Sequence, residues 1–230
     1  MYNRSIMVVV AHPDDEVLGC GGTIAIHALR GDEVYCLILG EGITSRGEDT
    51  AHMAEEKKAL RNDASQSADI LGIKELVFKD FPDQKLDTIP QLTIVKAIEE
   101  VKERIGPEII YTHHQGDLNL DHQITLRAVL TACRPMKDEK VKEIYSFEVP
   151  SSTEWNAPDI ETYFIPDVFV DVAETFKRKV AALKAYQSEL REYPHPRSPE
   201  ALEIIARRWG SNVGRELVEA FRLVRWLKHI

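Results

Sequence analysis

Two clusters of imidazole and carboxylate side chains carry the chemistry of this chain. The first is His12-Pro13-Asp14-Asp15-Glu16, which follows the apolar run Ile6-Met7-Val8-Val9-Val10 with only Ala11 between them. The second is His113-His114-Gln115-Gly116-Asp117-Leu118-Asn119-Leu120-Asp121-His122, directly after Glu108-Ile109-Ile110-Tyr111-Thr112. Carboxylates crowded at the end of a buried strand repel one another and lose hydration, a conflict that a divalent cation resolves. The plainer reading makes Asp14 or Asp15 the cap of a helix that begins near Glu16. Histidine plus carboxylate suits zinc, and a catalytic zinc keeps three protein ligands with one position open. His12, one of Asp14 and Asp15, and His122 supply such a set, and the remaining aspartate is then the general base. Spacing alone does not say which aspartate is which.

The elements that must bring these clusters together read as alternating strands and helices. Strands are expected at Ile6–Val10, Glu33–Leu39, Glu75–Phe78, Glu108–Thr112, Ile144–Val149 and Val168–Val172. Helices are expected at Val17–Arg30, Thr50–Leu71, a segment patterned by Leu92, Val95, Ile98, Val101 and Ile105, and Ile124–Arg134. Beyond Ala173 the chain reads as helical, apart from the rigid turn Pro194-His195-Pro196-Arg197-Ser198-Pro199. This is an α/β fold, Rossmann-like, with a mostly parallel sheet and helices on both faces, expected as a single domain over 1–230. In such sheets ligands bind beyond the carboxyl ends of the strands, where the winding reverses. Strands one and four commonly flank that point, and both clusters lie at their ends.

Composition narrows the partners. A formal net charge of −9 and no basic stripe argue against nucleic acid and against an anionic membrane surface. Cys20, Cys36 and Cys133 form no Cys-x-x-Cys, so neither a disulfide framework nor a thiolate metal site is expected. No apolar stretch approaches the ~18 residues of a membrane span, and the protein is expected to be soluble and cytoplasmic.

The sequence resembles the LmbE/PIG-L family of zinc-dependent N-acetylglucosaminyl deacetylases. The resemblance rests on Ala11-His12-Pro13-Asp14-Asp15-Glu16 joined to Asp121-His122. It extends through Phe81-Pro82-Asp83, Thr112-His113-His114, Gly116-Asp117-Leu118-Asn119, Ser146 to Trp155, and Pro194-His195-Pro196-Arg197-Ser198. It implies that His12, Asp15 and His122 hold Zn2+, that Asp14 is the general base, and that Asp121 orients a ligand. The implied reaction removes the N-acetyl group from an N-acetylglucosamine-type amino sugar or its conjugate and releases acetate. One departure matters: where many members carry a histidine three residues before the last ligand, this chain has Asn119, which can donate a hydrogen bond but cannot serve as an acid. His113 or His114, at the end of the same strand, is then the catalytic donor expected in its place. A hydratase or another amidase on the same site, or a non-catalytic metal- or sugar-binding module, are the competing readings.

Remaining candidates are weaker. Gly19-Cys20-Gly21-Gly22 resembles a phosphate loop, but carboxylates occupy the place directly after the strand; the glycines more simply allow close packing of the first helix. Arg61 is a candidate substrate contact, as is Asp83, and a charged helix residue is as readily a solvated face. His195 and Arg197, on a backbone pre-set by prolines, are candidates to line either this site or that of a neighbouring copy in a homo-oligomer. Loops at Gly40 to Asp49 and Lys79 to Thr88 are expected to decide the substrate. The tail Gly214 to Phe221 also resembles the family, with Leu217 and Val218 departing from its pattern.

Overall fold

A computed structural model describes residues 3–43 and 50–228 of the chain. The expected loop at Gly40 to Asp49 therefore falls mostly on residues 44–49, outside the described residues. The strands are β1 (Ser5–Val10), β2 (Glu33–Gly40), β3 (Glu75–Phe81), β4 (Ile109–His113), β5 (Glu143–Phe147), β6 (Val168–Asp171) and β7 (Val218–Trp226). The helices are α1 (Asp15–Leu29), α2 (Thr50–Leu71), α3 (Gln91–Ile105), α4 (Leu120–Ala132), α5 (Phe176–Ala185) and α6 (Pro199–Val213).

All seven strands share one sheet in the order β3-β2-β1-β4-β5-β7-β6. The pairs among β1 to β5 are parallel. The winding reverses between β1 and β4, so the ends of these two strands open the crevice where the clusters meet. Side chains of β1 alternate between two cores. Ile6, Val8 and Val10 pack with Val17 and Ile24 of α1, Leu60 and Ala64 of α2, and Leu183 of α5. Met7 and Val9 pack with Ile94 and Ile98 of α3 and Ala128 and Val129 of α4. Burial on both faces is why β1 reads as an unbroken apolar run, each such side chain contributing about 1.5–3 kcal/mol of transfer energy. Among the described residues no helix is long and apolar enough to cross a membrane.

The glycines of α1 allow close approach. A Cβ on Gly19 would lie 2.1 Å from Phe147 Cδ2, so this turn of the helix fits over β5 only without a side chain. The helix kinks at Cys20, whose φ is −145°.

The tail corrects the sequence reading. Val218–Trp226 is not helical: it is β7, antiparallel to both β5 and β6. Glu216 to Phe221 holds good helix formers, but past Phe221 exposure alternates with period two, and an open edge of β5 gives its backbone partners. Gly214, with φ of +69°, ends α6 and turns the chain into the strand. Two helices also start earlier than expected, α1 at Asp15 rather than Val17 and α4 at Leu120 rather than Ile124. Asp15, Asp121 and His122 thereby belong to first turns of helices.

Candidate metal and catalytic site

The chain passes from β1 to α1 through Ala11–Asp14, and from β4 to α4 through residues 114–119, so both clusters sit on short rigid connections. Asp14 adopts φ of +92°, the left-handed region, which for a residue other than glycine costs on the order of 1–3 kcal/mol. Its backbone begins α1, with the N–H groups of Val17 and Leu18 bonding to its carbonyl, yet its side chain makes no capping bond. The capping reading therefore fails for Asp14, whose carboxylate points to other work. Asp15 and Glu16 follow in the first turn, both buried.

Three donor atoms converge here: His12 Nδ1, Asp15 Oδ2 and His122 Nε2. His12 Nδ1 lies 3.4 Å from Asp15 Oδ2, His122 Nε2 lies 3.3 Å from the same oxygen, and the two nitrogens are 3.3 Å apart. Donors held about 2.0–2.2 Å from a tetrahedral zinc stand roughly 3.4 Å from one another. The triangle therefore has the edges of one face of such a site, and its two imidazoles and one carboxylate are a donor set that zinc favours. The residues present fit the metal.

Each imidazole also has a carboxylate on its far side. His12 Nε2 is 3.1 Å from Asp121 Oδ2 and 3.2 Å from Asp83 Oδ1. His122 Nδ1 is 3.1 Å from Asp117 Oδ2, short of a well-aligned hydrogen bond. Once a cation displaces the inner proton, carboxylates placed this way keep the outer nitrogen protonated and leave the inner lone pair directed at the triangle. Asp121 is anchored in turn by the N–H of Leu86 at 3.0 Å. Asp117 accepts from the N–H of Asn119 at 2.8 Å, from Thr153 Oγ1 at 2.6 Å and from the Ser152 hydroxyl.

Electrostatics of the metal-free cluster follow from this crowding. Burial alone would depress His12, but hydrogen bonds to Asp121 and Asp15 outweigh it and raise its pKa to about 10. His122 is likewise pulled down by burial and lifted, by Asp15 and Asp117, to about 9. Burial pushes Asp15 up, yet the positive His122 and the hydrogen bond from His12 hold it well below the usual carboxylate range. Asp14 rises to about 7 through burial, with Arg197 opposing and Asp15 adding to the rise. Glu16, accepting from the Tyr186 hydroxyl at 2.7 Å, is lifted to about 8 by burial.

The other sequence candidates are distributed as follows. Asp121 serves His12, across the crevice, rather than its chain neighbour His122. His113 is fully buried, its Nε2 accepting from the N–H of Ala11 at 2.9 Å and its ring stacked 3.9 Å from that of His122. Burial depresses it to about 3, so it stays neutral. This corrects the expectation that it donates to a reacting group: it is an uncharged wedge behind the donor triangle. His114 is corrected too, because its Nε2 faces the Thr162 carbonyl at 3.2 Å and its ring packs against Phe164, away from the triangle. Asn119 caps α4, its Oδ1 accepting from the N–H of Asp121 at 2.9 Å. Arg61 pairs with Asp80 and lies over the Phe78 ring, contacts that hold α2 to β3 and do not reach the cluster. His195 meets Trp155 edge to face and accepts from the Arg197 N–H at 3.1 Å. Arg197 enters this chain's own site, with Nη1 3.0 Å from Asp14 Oδ2.

Asp117 was missed by sequence reasoning as an orienting residue, although it stands in a quoted motif. Its only sequence signal is an aspartate five residues before His122. Asp83 carried a weak signal and proves to share His12 with Asp121.

With this geometry in hand, the family profile described as "PIG-L: GlcNAc-PI de-N-acetylase" matches residues 7–133 of the chain, a span that holds the whole donor triangle. The chain belongs to the PIG-L family. Among relatives, a probable N-acetyl-α-D-glucosaminyl L-malate deacetylase 2 of Bacillus cereus is 27% identical over 190 residues, covering 81% of this chain and 84% of the relative. The 4-oxalmesaconate hydratase of Pseudomonas putida is 32% identical over 215 residues, covering 83% of this chain and 76% of the relative. Among solved structures, N,N'-diacetylchitobiose deacetylase from Pyrococcus horikoshii superimposes with a TM-score of 0.78 over 96% of this chain and 84% of that one, at 18% identity. That likeness bears on the fold. The PIG-L fold thus holds both deacetylases and a hydratase among this chain's relatives.

Proposed function

We propose that this PIG-L member is a zinc-dependent hydrolase that removes the N-acetyl group from an N-acetylglucosamine-type amino sugar or its conjugate. The observation that carries the reading is the triangle of His12 Nδ1, Asp15 Oδ2 and His122 Nε2, with a separate buried carboxylate, Asp14, close enough to interact with the charges of Asp15 and His12. His12, Asp15 and His122 would hold the ion, which when bound acts as a Lewis acid on a carbonyl oxygen and on water. Asp14 takes the proton of the attacking water and delivers it to the amine as the C–N bond breaks, leaving acetate and a free amino sugar. Asn119, whose Oδ1 accepts from the Asp121 N–H at the start of α4, would use its amide N–H groups as the donors to the oxyanion of the tetrahedral intermediate.

Relatives named as deacetylases support this reading, while the hydratase relative supports a second one, addition of water to an unsaturated carboxylate on the same machinery. The free, buried thiols of Cys20, Cys36 and Cys133 are consistent with a cytoplasmic enzyme meeting a small diffusible substrate. The test is acetate release by metal-replete protein from a panel of N-acetylglucosamine conjugates, run beside a panel of unsaturated di- and tricarboxylates. Asp14→Asn should keep zinc and lose turnover, whereas Asp15→Ala and His122→Ala should lose zinc. No acetate from any conjugate, or equal zinc loss in all three variants, refutes the proposal.

A further inference from the structure

Arg197 is triangulated more tightly than a residue waiting for substrate. Its Nε donates to Ser151 Oγ at 2.7 Å, and its Nη1 meets Asp14 Oδ2 at 3.0 Å and Glu189 Oε2 at 3.5 Å. Its backbone is equally fixed: the Arg197 N–H bonds to His195 Nδ1, and the next residue, Ser198, caps α6 by accepting from the Ala201 N–H at 3.1 Å. The side chain it holds is one that has left its default task. An aspartate at the start of a helix ordinarily gives its carboxylate to the first N–H groups, but Asp14, at φ of +92°, makes no such bond. A planar guanidinium fork anchored at two points restricts both the direction and the roll of the carboxylate it grips.

We infer that Arg197 is a positioning residue for Asp14, fixing the carboxylate by its Oδ2 so that Oδ1 is the oxygen that handles the proton. The clamp also ties the base to a metal ligand. Ser151, which supports Nε, adopts φ of +72° in the same turn as Ser152 and Thr153, and these two hold Asp117 against His122. One turn therefore sets the placement of the base relative to the donor triangle.

The inference rests on the proposed role of Asp14, and the experiment separates the two. R197A, zinc-loaded and compared with wild type on whichever N-acetylated conjugate is turned over, should lose roughly 100-fold in kcat with little change in KM. Millimolar guanidinium chloride should restore part of that kcat in R197A and none in D14N. S151A, which removes only the Nε anchor, should lower kcat several-fold at constant KM, and it carries the test if R197A does not fold. A raised KM with unchanged kcat makes Arg197 a substrate contact and overturns the inference. So does a folded, zinc-loaded R197A with wild-type kcat, or with no response to guanidinium, or an S151A with unchanged kcat. A fully active D14N removes the reading of Asp14 itself, whatever R197A does.

Discussion

If the triangle takes zinc as proposed, the ion must displace protons from it, because both imidazoles are raised well above the usual histidine range. Without metal, His12 at about 10 and His122 at about 9 both carry a proton at pH 7, while Asp15 is already ionised. Both inner nitrogens must present a lone pair to the ion, so loading should release about two protons per zinc at pH 7, with a further fraction from Asp14, which titrates near 7. Removing protons from two groups whose values lie above the solution pH opposes binding by an amount on the order of several kcal/mol, at ~1.36 kcal/mol per unit. Affinity should accordingly fall ~100-fold for each pH unit between pH 8 and pH 6. Calorimetric titration of metal-free protein in buffers of different ionisation enthalpy gives the proton count directly. Release of less than one proton, or an affinity that moves less than tenfold per pH unit, would mean that the histidines are neutral before the metal arrives, and the electrostatic reasoning would be wrong.

The same two imidazoles bear on stability. Their raised folded-state values mean that their contribution is fully present below the unfolded value near 6.5 and is lost as pH climbs through 9 to 10. Denaturant titrations of metal-free protein should therefore show wild type losing its advantage over His122→Asn across that range, and a constant difference would contradict it. Asp117→Asn should weaken zinc binding ~10–100-fold, measured by chelator competition, because it removes the charge that faces His122 Nδ1. Gly19→Ala should destabilise by at least ~1–3 kcal/mol in chemical denaturation, since the new methyl would lie 2.1 Å from Phe147 Cδ2. Adding Phe147→Leu should recover part of that loss, and strict additivity would show that the two sites do not touch.

Much of the layout was legible because it depends on local signals that the fold does not override. The unbroken run Ile6–Val10 reads as a strand buried on both faces, and the alternation of strands and helices as a parallel sheet in which strands one and four commonly flank the reversal, as β1 and β4 do. Val218–Trp226 was misread because its helix-forming letters were outvoted by the open edge of β5, a partner more than 70 residues away. The histidines show the same division. Two neighbours, His113 as the last residue of β4 and His114 just past it, look interchangeable in sequence, but adjacent side chains of extended backbone point to opposite sides. One is buried against His122 and the other against Phe164.

By itself the sequence determined which residue types crowd the carboxyl ends of β1 and β4, and hence that a constellation able to hold a cation is expected there. The choice among neighbours belonged to the tertiary structure. Only three-dimensional packing directs the Asp14 carboxylate away from its helix toward Arg197, some 180 positions along the chain, and sets Asp121 against His12 and Asp117 against His122. The physical reason is that ligand type is a property of a residue, whereas the orientation, burial and charge partners that give it a role come from segments folded against it from elsewhere in the chain.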